Sequence, residues 1–292
     1  MRGGFFLIAL ALCLTPCFLS AQTTYNYYTL DYPSAAGTLP NDLNQAGMIV
    51  GSYLDGSNTS HGFSFNRGGF TAINVPGATF TIAKGINREG VIVGSFGTST
   101  SSSSSTHGFI LRHGSFTQVD VPDASNTWVT GINDSGTISG YYIGSSGSTQ
   151  GFVQAPSQAI VTEDFPGSTE TAVNAINNRG DLTGQTSPPF ISAFLYTNSD
   201  DQWTDFYYPG AMTTTGDGIN NSGEVVGIWN PSNPSAPSEG FLRSADGTFQ
   251  QISYPGSAGS GASGINDAGA IVGNYNDSAG VIHGFVALPQ MR

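Results

Sequence analysis

Residues 85–94 have the sequence GINREGVIVG, and residues 131–140 repeat this pattern as GINDSGTISG. Further copies begin at Ala175, Gly218 and Gly264, and a weaker copy begins at Asp42. The asparagines of the six copies are Asn44, Asn87, Asn133, Asn177, Asn220 and Asn266. Their spacings are 43, 46, 44, 43 and 46 residues. A period this regular indicates tandem structural repeats.

Each repeat contains the same four short strand-like segments. Segment a ends in the GIN triplet, and segment b has the form IVGSY at residues 49–53. Segment c follows HGF, as at residues 61–63, and segment d has the form FTAINVP at residues 70–76. Between a and b, Asn87 and Gly90 fit the first and fourth positions of a type I turn. With no helical periodicity, the pattern predicts an all-β fold of four-stranded antiparallel units.

The length of the repeat and the two ends of the chain predict how these units assemble. A four-stranded unit of about 44 residues has the size of a β-propeller blade. Residues 25–33 match segment d with no other segment before it, whereas the sixth repeat stops after segment c, at residues 286–289. Neither end resembles the polar cap of an open solenoid. We therefore expect a six-bladed β-propeller closed by the N-terminal strand, forming one domain over residues 22–292.

Residues 1–21 have the features of a secretory signal peptide. A charged start precedes an apolar run from Phe5 to Leu14, and the small residue Ala21 marks the expected cleavage site. Both cysteines, Cys13 and Cys17, fall within this segment, so the mature chain has no disulfide. Pro16 before Cys17 argues against a lipoprotein. We expect a secreted monomer, extracellular or periplasmic, without a membrane span.

The charge distribution excludes several classes of partner. The net charge is −12, and Lys84 is the sole lysine. Such a chain has no basic surface with which to bind nucleic acid or anionic lipid. The acidity itself fits solubility outside the cell.

The repeats resemble those of the extracellular HAF repeat family of bacterial secreted proteins. The resemblance rests on the INxxGxIVG pattern and on the HGF triplets, and it covers essentially the whole mature chain. The chain departs from the name-giving triplet, because Gly replaces Ala in most copies, while residues 192–194 keep Ala and lose His. The resemblance implies a secreted repeat protein and no assigned chemistry.

No catalytic or cofactor motif is present in the sequence. Zinc-protease, phosphate-loop and dinucleotide patterns are absent, so we expect no catalytic residue and no cofactor. His61, His107 and His283 occupy equivalent positions, which should lie too far apart for the bonds of about 2 Å that zinc requires. We expect no metal site, and we expect these histidines to satisfy local backbone groups.

Aromatic residues recur at the end of segment b. They are Tyr53, Phe96, Tyr142, Trp229 and Tyr275. We expect them to pack between neighbouring blades, and a platform for sugar rings is the alternative.

A polar residue stands three positions before every turn asparagine. The six residues are Asn41, Lys84, Thr130, Asn174, Asp217 and Ser263. If segment a is innermost, they form a ring beside the central channel. One interpretation is a ligand site, in which Lys84 and Asp217 meet a polar ligand. The other is a channel lined by polar residues because water fills it.

The sequence thus favours a non-enzymatic extracellular propeller that binds a carbohydrate or a protein at its loop face or channel mouth. A polysaccharide hydrolase or lyase is an alternative, and it would need two carboxyl groups roughly 5–10 Å apart. The candidates for those groups are Asp42, Asp55, Asp123, Glu170, Asp217 and Glu239. A purely structural surface protein is the third interpretation.

Overall fold

The computed structural model describes residues 23–98, 105–187 and 191–290. All regular structure in these residues is β-strand, which confirms the all-β prediction. They contain no helix long and apolar enough to cross a membrane. The expected signal peptide, residues 1–21, lies outside the described residues.

Each of the first five repeats supplies four strands, the sixth supplies three, and one further strand, β1 (Tyr25–Leu30), precedes them. The first two repeats are β2 (Gly37–Leu43), β3 (Ile49–Leu54), β4 (Ser60–Asn66), β5 (Gly69–Ile73), β6 (Phe80–Ile86), β7 (Ile92–Gly97), β8 (Thr106–Arg112) and β9 (Ser115–Val119). The next two are β10 (Asn126–Ile132), β11 (Ile138–Ile143), β12 (Thr149–Gln154), β13 (Val161–Thr162), β14 (Glu170–Ile176), β15 (Leu182–Ser187), β16 (Ser192–Thr197) and β17 (Gln202–Phe206). The fifth is β18 (Ala211–Ile219), β19 (Val225–Pro231), β20 (Glu239–Arg243) and β21 (Phe249–Ile252). The sixth has only β22 (Ser260–Ile265), β23 (Ile271–Asn276) and β24 (Ile282–Pro289).

The strands of each repeat pair antiparallel in sequence order, as the pattern predicts. Repeats two to five form separate four-stranded sheets. β1 pairs antiparallel with β24 from Tyr25↔Pro289 to Leu30↔Gly284, and so supplies the fourth strand of the sixth repeat. A single parallel bridge, Gly37↔Ile282, joins that sheet to the sheet of the first repeat. No sheet in the described part of the chain closes on itself.

The turn between the first two strands of each repeat is stabilised by its asparagine. In the second repeat, Asn87 Oδ1 accepts hydrogen bonds from the amides of Glu89 and Val91 at 3.1 and 3.0 Å. Gly90 N donates to Asn87 O at 3.0 Å, and Gly90 has a φ of 77°. That conformation favours glycine. The equivalent glycines, Gly136, Gly180, Gly223 and Gly269, also have positive φ, which confirms the turn prediction.

The same asparagines connect each repeat to the next. The Nδ2 of Asn44 donates to the carbonyl of Asn87 at 3.1 Å, and every following asparagine makes the equivalent bond at 3.0–3.3 Å. Asn266 donates to the carbonyl of Asn44 at 3.3 Å, so the series of bonds returns to its first member. All six side chains are buried. The repeated asparagine therefore has two roles, one within its turn and one between repeats.

One phenylalanine per repeat forms the centre of the core. The six are Phe63, Phe109, Phe152, Phe194, Phe241 and Phe285, all fully buried. A glycine of the second strand lies against each of these rings. A Cβ on Gly94, for example, would lie 2.9 Å from the ring of Phe109 and 2.0 Å from the carbonyl oxygen of Ile82. The glycine of the IVG pattern is thus required by close packing.

Aromatic stacking joins neighbouring repeats on their outer parts. Tyr53 stacks on Tyr32 with ring centroids 3.7 Å apart, and Trp229 stacks on Tyr208 at 4.4 Å. Tyr275 stacks on Tyr254 of the preceding repeat, again at 3.7 Å. For these residues the structure confirms the prediction of packing between repeats.

Candidate functional site

The first strand of every repeat contains a β-bulge at the predicted ring position. In the second repeat, Ala83 pairs with Gly94 and Gly85 pairs with Val93, so Lys84 has no partner in the ladder. The other five repeats have the same shift in register, between the two neighbours of the ring residue. A bulge inserts one extra residue and redirects its side chain. The bulge is the local feature that places these side chains on the inner side of the repeats.

All six ring residues line one cavity of about 240 Å³. The ring consists of Asn41, Lys84, Thr130, Asn174, Asp217 and Ser263, and the wall is completed by Leu39, Ile228 and Asn274. The structure therefore brings together side chains that come from all six repeats. This is the arrangement on which both interpretations of the ring depend.

Three of the ring residues donate hydrogen bonds to the next repeat. Asn41 Nδ2 donates to the carbonyl of Ala83 at 2.8 Å, and Asn174 Nδ2 donates to the carbonyl of Gly216 at 3.0 Å. Thr130 Oγ1 donates to the carbonyl of Val173 at 2.8 Å. Each accepting carbonyl belongs to the residue immediately before a bulge. Part of the ring's polarity thus has a structural role, because these three side chains link neighbouring repeats.

Lys84 and Asp217 are the two charged members of the ring. Both are half-buried. Burial lowers the pKa of Lys84, opposed by the charge of Asp217. Burial raises the pKa of Asp217 to about 6, opposed by Lys84 and by hydrogen bonds from Thr215 and Asn174. Lys84 Nζ lies 3.5 Å from Asn41 Oδ1. Each charge thus shifts the pKa of the other group, although Lys84 and Asp217 form no direct ion pair among the described residues.

Asp42 is a half-buried carboxyl group beside the ring. The position after the bulge holds Gly85, Gly131, Ala175, Gly218 and Gly264 in the other repeats. A Cβ on Gly264 would lie 2.8 Å from Asp42 Cα, which shows how closely the strands approach there. Asp42 Oδ2 accepts a hydrogen bond from Ile86 N at 2.9 Å, and Oδ1 accepts one from Leu43 N at 2.8 Å. Burial raises its pKa to about 7 against these bonds. In the sequence, this group can be recognised because an aspartate stands where the other repeats have glycine or alanine.

The carboxyl groups considered for an enzyme are dispersed. Asp217 lines the ring cavity, Asp42 lines a separate cavity of about 70 Å³ at the turn asparagines, and Glu170 lines a third. Asp55 accepts hydrogen bonds from the amides of Ser57 and Thr59 within its own turn. Glu239 accepts a hydrogen bond from Ser253. Three of the candidates thus occupy different cavities, and two have structural partners.

The three equivalent histidines bond to carboxylate and amide side chains, so the expectation of backbone partners is wrong. The Nδ1 of His107 lies 2.8 Å from Asp120 Oδ1, and that of His283 lies 2.8 Å from Asp31 Oδ2. The Nδ1 of His61 lies 3.0 Å from Asn74 Oδ1. Each partner comes directly after the fourth strand of the sheet, and the bonds stabilise that edge. Within the described ranges, no group of three His, Cys, Asp or Glu residues could hold a metal ion.

No protein-family model and no curated protein sequence matches this chain. Several solved structures resemble it in fold. The SapL1 lectin in complex with α-methyl fucoside is 10% identical, with a TM-score of 0.55, over 86% of this chain and 93% of the lectin. AofleA from Arthrobotrys oligospora is 9% identical, with a TM-score of 0.54, over 90% of this chain and 86% of AofleA.

A third similar structure is a single-residue mutant of the Aleuria aurantia lectin in complex with Fucα1-6GlcNAc. It is 11% identical, with a TM-score of 0.50, over 90% of this chain and 98% of the lectin. The Aleuria aurantia lectin has a six-bladed β-propeller fold. At such low identities the likeness concerns the fold alone, and it shows that the chain has a β-propeller fold.

Proposed function

We propose that this chain is a secreted, non-enzymatic, six-bladed β-propeller that binds a carbohydrate at the mouth of its central channel. The observation that carries the proposal is the ring of six bulge residues around one cavity. Membership of the HAF repeat family and secretion through residues 1–21 are part of the same proposal.

Two sets of contacts support the number of blades and a closed ring. The first is the pairing of β1 with β24, which gives the sixth repeat four strands like the others. The second is the series of asparagine bonds, in which Asn266 returns to Asn44. A closed ring also removes the exposed strand edges that promote aggregation.

The chemistry of the ring suits a ligand rich in hydroxyl groups. Lys84 is a hydrogen-bond donor, ionised Asp217 is an acceptor, and the Asn, Thr and Ser side chains can donate and accept. Leu39 and Ile228 add apolar surface to the same cavity. Small-molecule sites commonly combine an apolar wall with a few polar groups that fix orientation.

The similar structures suggest which carbohydrate to test first. The SapL1 lectin is described in complex with α-methyl fucoside, and the Aleuria aurantia lectin with Fucα1-6GlcNAc. We therefore propose a fucoside-sized glycan as the first ligand class. No observation favours catalysis over binding, because the three candidate carboxyl groups that line cavities line different ones.

A glycan array probed with residues 22–292 tests this function. We expect the wild-type protein to bind at least one glycan, and the double variant Lys84→Ser/Asp217→Ser to lose that binding. Arg112→Ser is the matched control, because Arg112 is exposed and pairs with Glu89 at 3.6 Å outside the ring. Unchanged glycan binding by the ring variant would place the site elsewhere.

A further inference from the structure

Glu163 occupies a position that is apolar in every other repeat. It follows β13, and its amide donates to the carbonyl of Gly151 at 2.9 Å. The residues that face the equivalent position of the third strand in the other repeats are Leu30, Ile73, Val119, Phe206 and Ile252. Four of these five are buried in the core, where they pack between one repeat and the next. The third repeat alone places a carboxyl group at this interface.

The Glu163 carboxylate is half-buried and accepts no hydrogen bond from the described residues. Burial raises its pKa, and the charges of Asp201 and Asp164 raise it further. A half-buried carboxylate near other carboxylates is costly to ionise, and a positive charge beside it would remove that cost. The site is therefore suited to a cation.

Glu163 lines a cavity of about 310 Å³ between the third and fourth repeats. Val153, Leu182 and Tyr196 give the same cavity an apolar wall. Pockets for small molecules typically measure roughly 300–1,000 Å³, so this one fits a single sugar-sized ligand. In the described residues no group of carboxylates and histidines is arranged to hold a metal ion, so the cation is better supplied by an organic ligand.

Arg179 also lines this cavity, but its guanidinium is directed toward the fifth repeat. Asp181 Oδ2 accepts hydrogen bonds from Arg179 Nε at 2.8 Å and Arg179 Nη2 at 2.7 Å. The Asp181 side chain is only 2% exposed, whereas that of Arg179 is 52% exposed. The carboxylate thus fixes the guanidinium and matches its charge. A Cβ on Gly223 of the fifth repeat would lie 3.0 Å from Arg179 Nη2. This guanidinium, paired with Asp181, therefore does not neutralise Glu163.

We propose that this cleft between the third and fourth repeats binds an amino sugar, with its protonated amine on Glu163 and its ring on the apolar wall. The sugar body rests on the carbohydrate-binding function proposed above, whereas the requirement for an amine rests on the cleft itself. The cleft shares no residue with the ring cavity.

Three matched sugars test the amine requirement by calorimetry at neutral pH. We expect D-glucosamine to bind, and we expect N-acetylglucosamine and glucose to bind at least about tenfold more weakly because they carry no ammonium group. Glu163→Gln removes the charge at nearly constant shape and should weaken glucosamine binding by at least about tenfold. Equal binding of the three sugars, absence of glucosamine binding or an unaffected Glu163→Gln variant would overturn the proposal.

One further variant and a control separate binding in this cleft from a structural role. The ring is tested separately through Lys84 and Asp217, so the ring proposal can fail while this one stands. Glu163→Val introduces the residue of the second repeat, Val119, and should abolish glucosamine binding while raising the melting temperature. A lower melting temperature for Glu163→Val would show that the carboxylate stabilises the fold and would contradict a binding role. Glu170→Gln, a change at an exposed carboxylate outside the cleft, should alter neither property.

Discussion

The side-chain amide of Asn266 donates a hydrogen bond of 3.3 Å to the backbone carbonyl of Asn44, 222 positions earlier in the chain. Both side chains are buried, and Asn266 Oδ1 also accepts hydrogen bonds from the amides of Ala268 and Ala270. One asparagine thus stabilises the last turn and links the sixth repeat to the first.

Asn266→Ala should therefore lower the free energy of unfolding by more than about 1 kcal/mol, since it leaves buried backbone groups without partners, at about 1–3 kcal/mol for each unsatisfied group. Urea denaturation followed by fluorescence measures the change. Ser57→Ala, at an exposed turn residue, is the control and should be nearly neutral. A neutral Asn266→Ala would show that the bond between repeats contributes nothing to stability.

Deletion of residues 22–34 should destabilise the whole protein. The deletion removes β1, exposes the edge of β24, and removes the stacking of Tyr32 on Tyr53. We expect a lower melting temperature and a tendency to self-associate, because an unpaired edge strand is a site of association. Calorimetry and light scattering measure the two effects. A monomeric deletion variant with an unchanged melting temperature would contradict this role of β1.

Gly223→Val should cost more than about 1 kcal/mol of stability, because Gly223 has a φ of 81° and β-branched residues tolerate positive φ poorly. A Cβ at this position would also lie 3.0 Å from Nη2 of Arg179. Gly56→Val is the control, since a Cβ there meets nothing within 4 Å and its φ lies outside the left-handed region. Equal denaturation midpoints for the two variants would mean that the turn imposes no strain.

The half-buried carboxyl of Asp42 should make stability depend on pH. Its pKa in the folded protein, about 7, lies above the ordinary value of 3.8, so the folded state binds the proton more tightly than the unfolded state. Stability contributed by the protonated form is therefore lost as the pH rises from about 4 to about 7. Asp42→Ala should flatten this part of the stability curve, measured by urea denaturation at several pH values. A slope identical to that of the wild type would contradict the raised pKa.

Much of this fold follows from the sequence because it is repeated. The Asn-x-x-Gly turns, the four strands and the pairing of the N-terminal segment are all encoded by residues whose geometry is restrictive, such as Gly90 at positive φ. The ring position can also be identified in the sequence, since it is polar in every repeat. The bulge at this position cannot be predicted, because Asn, Lys, Thr, Asp and Ser share no backbone preference that marks a bulge.

Other features needed the three-dimensional register. The third repeat has a fourth strand of only two residues, Val161–Thr162, although its sequence DFPG at residues 164–167 aligns with NVPG at residues 74–77. The alignment places Glu163 at an apolar position, and its pairing with Gly151 shows that this position faces the core. The side-chain partners of the histidines likewise could not be predicted from the sequence; Asp31, for example, lies 252 positions from His283.

The pairing of β1 with β24 can form only at the end of synthesis. Of the described strands, β1 leaves the ribosome first, yet its partner is completed only after the other 22 strands have been made. During synthesis it remains unpaired until the opposite end of the chain is made, and such long-range contacts slow folding. A circular permutant in which β1 follows β24 through a short linker turns this contact into a local hairpin. It should fold faster than the parent chain while keeping the same native structure.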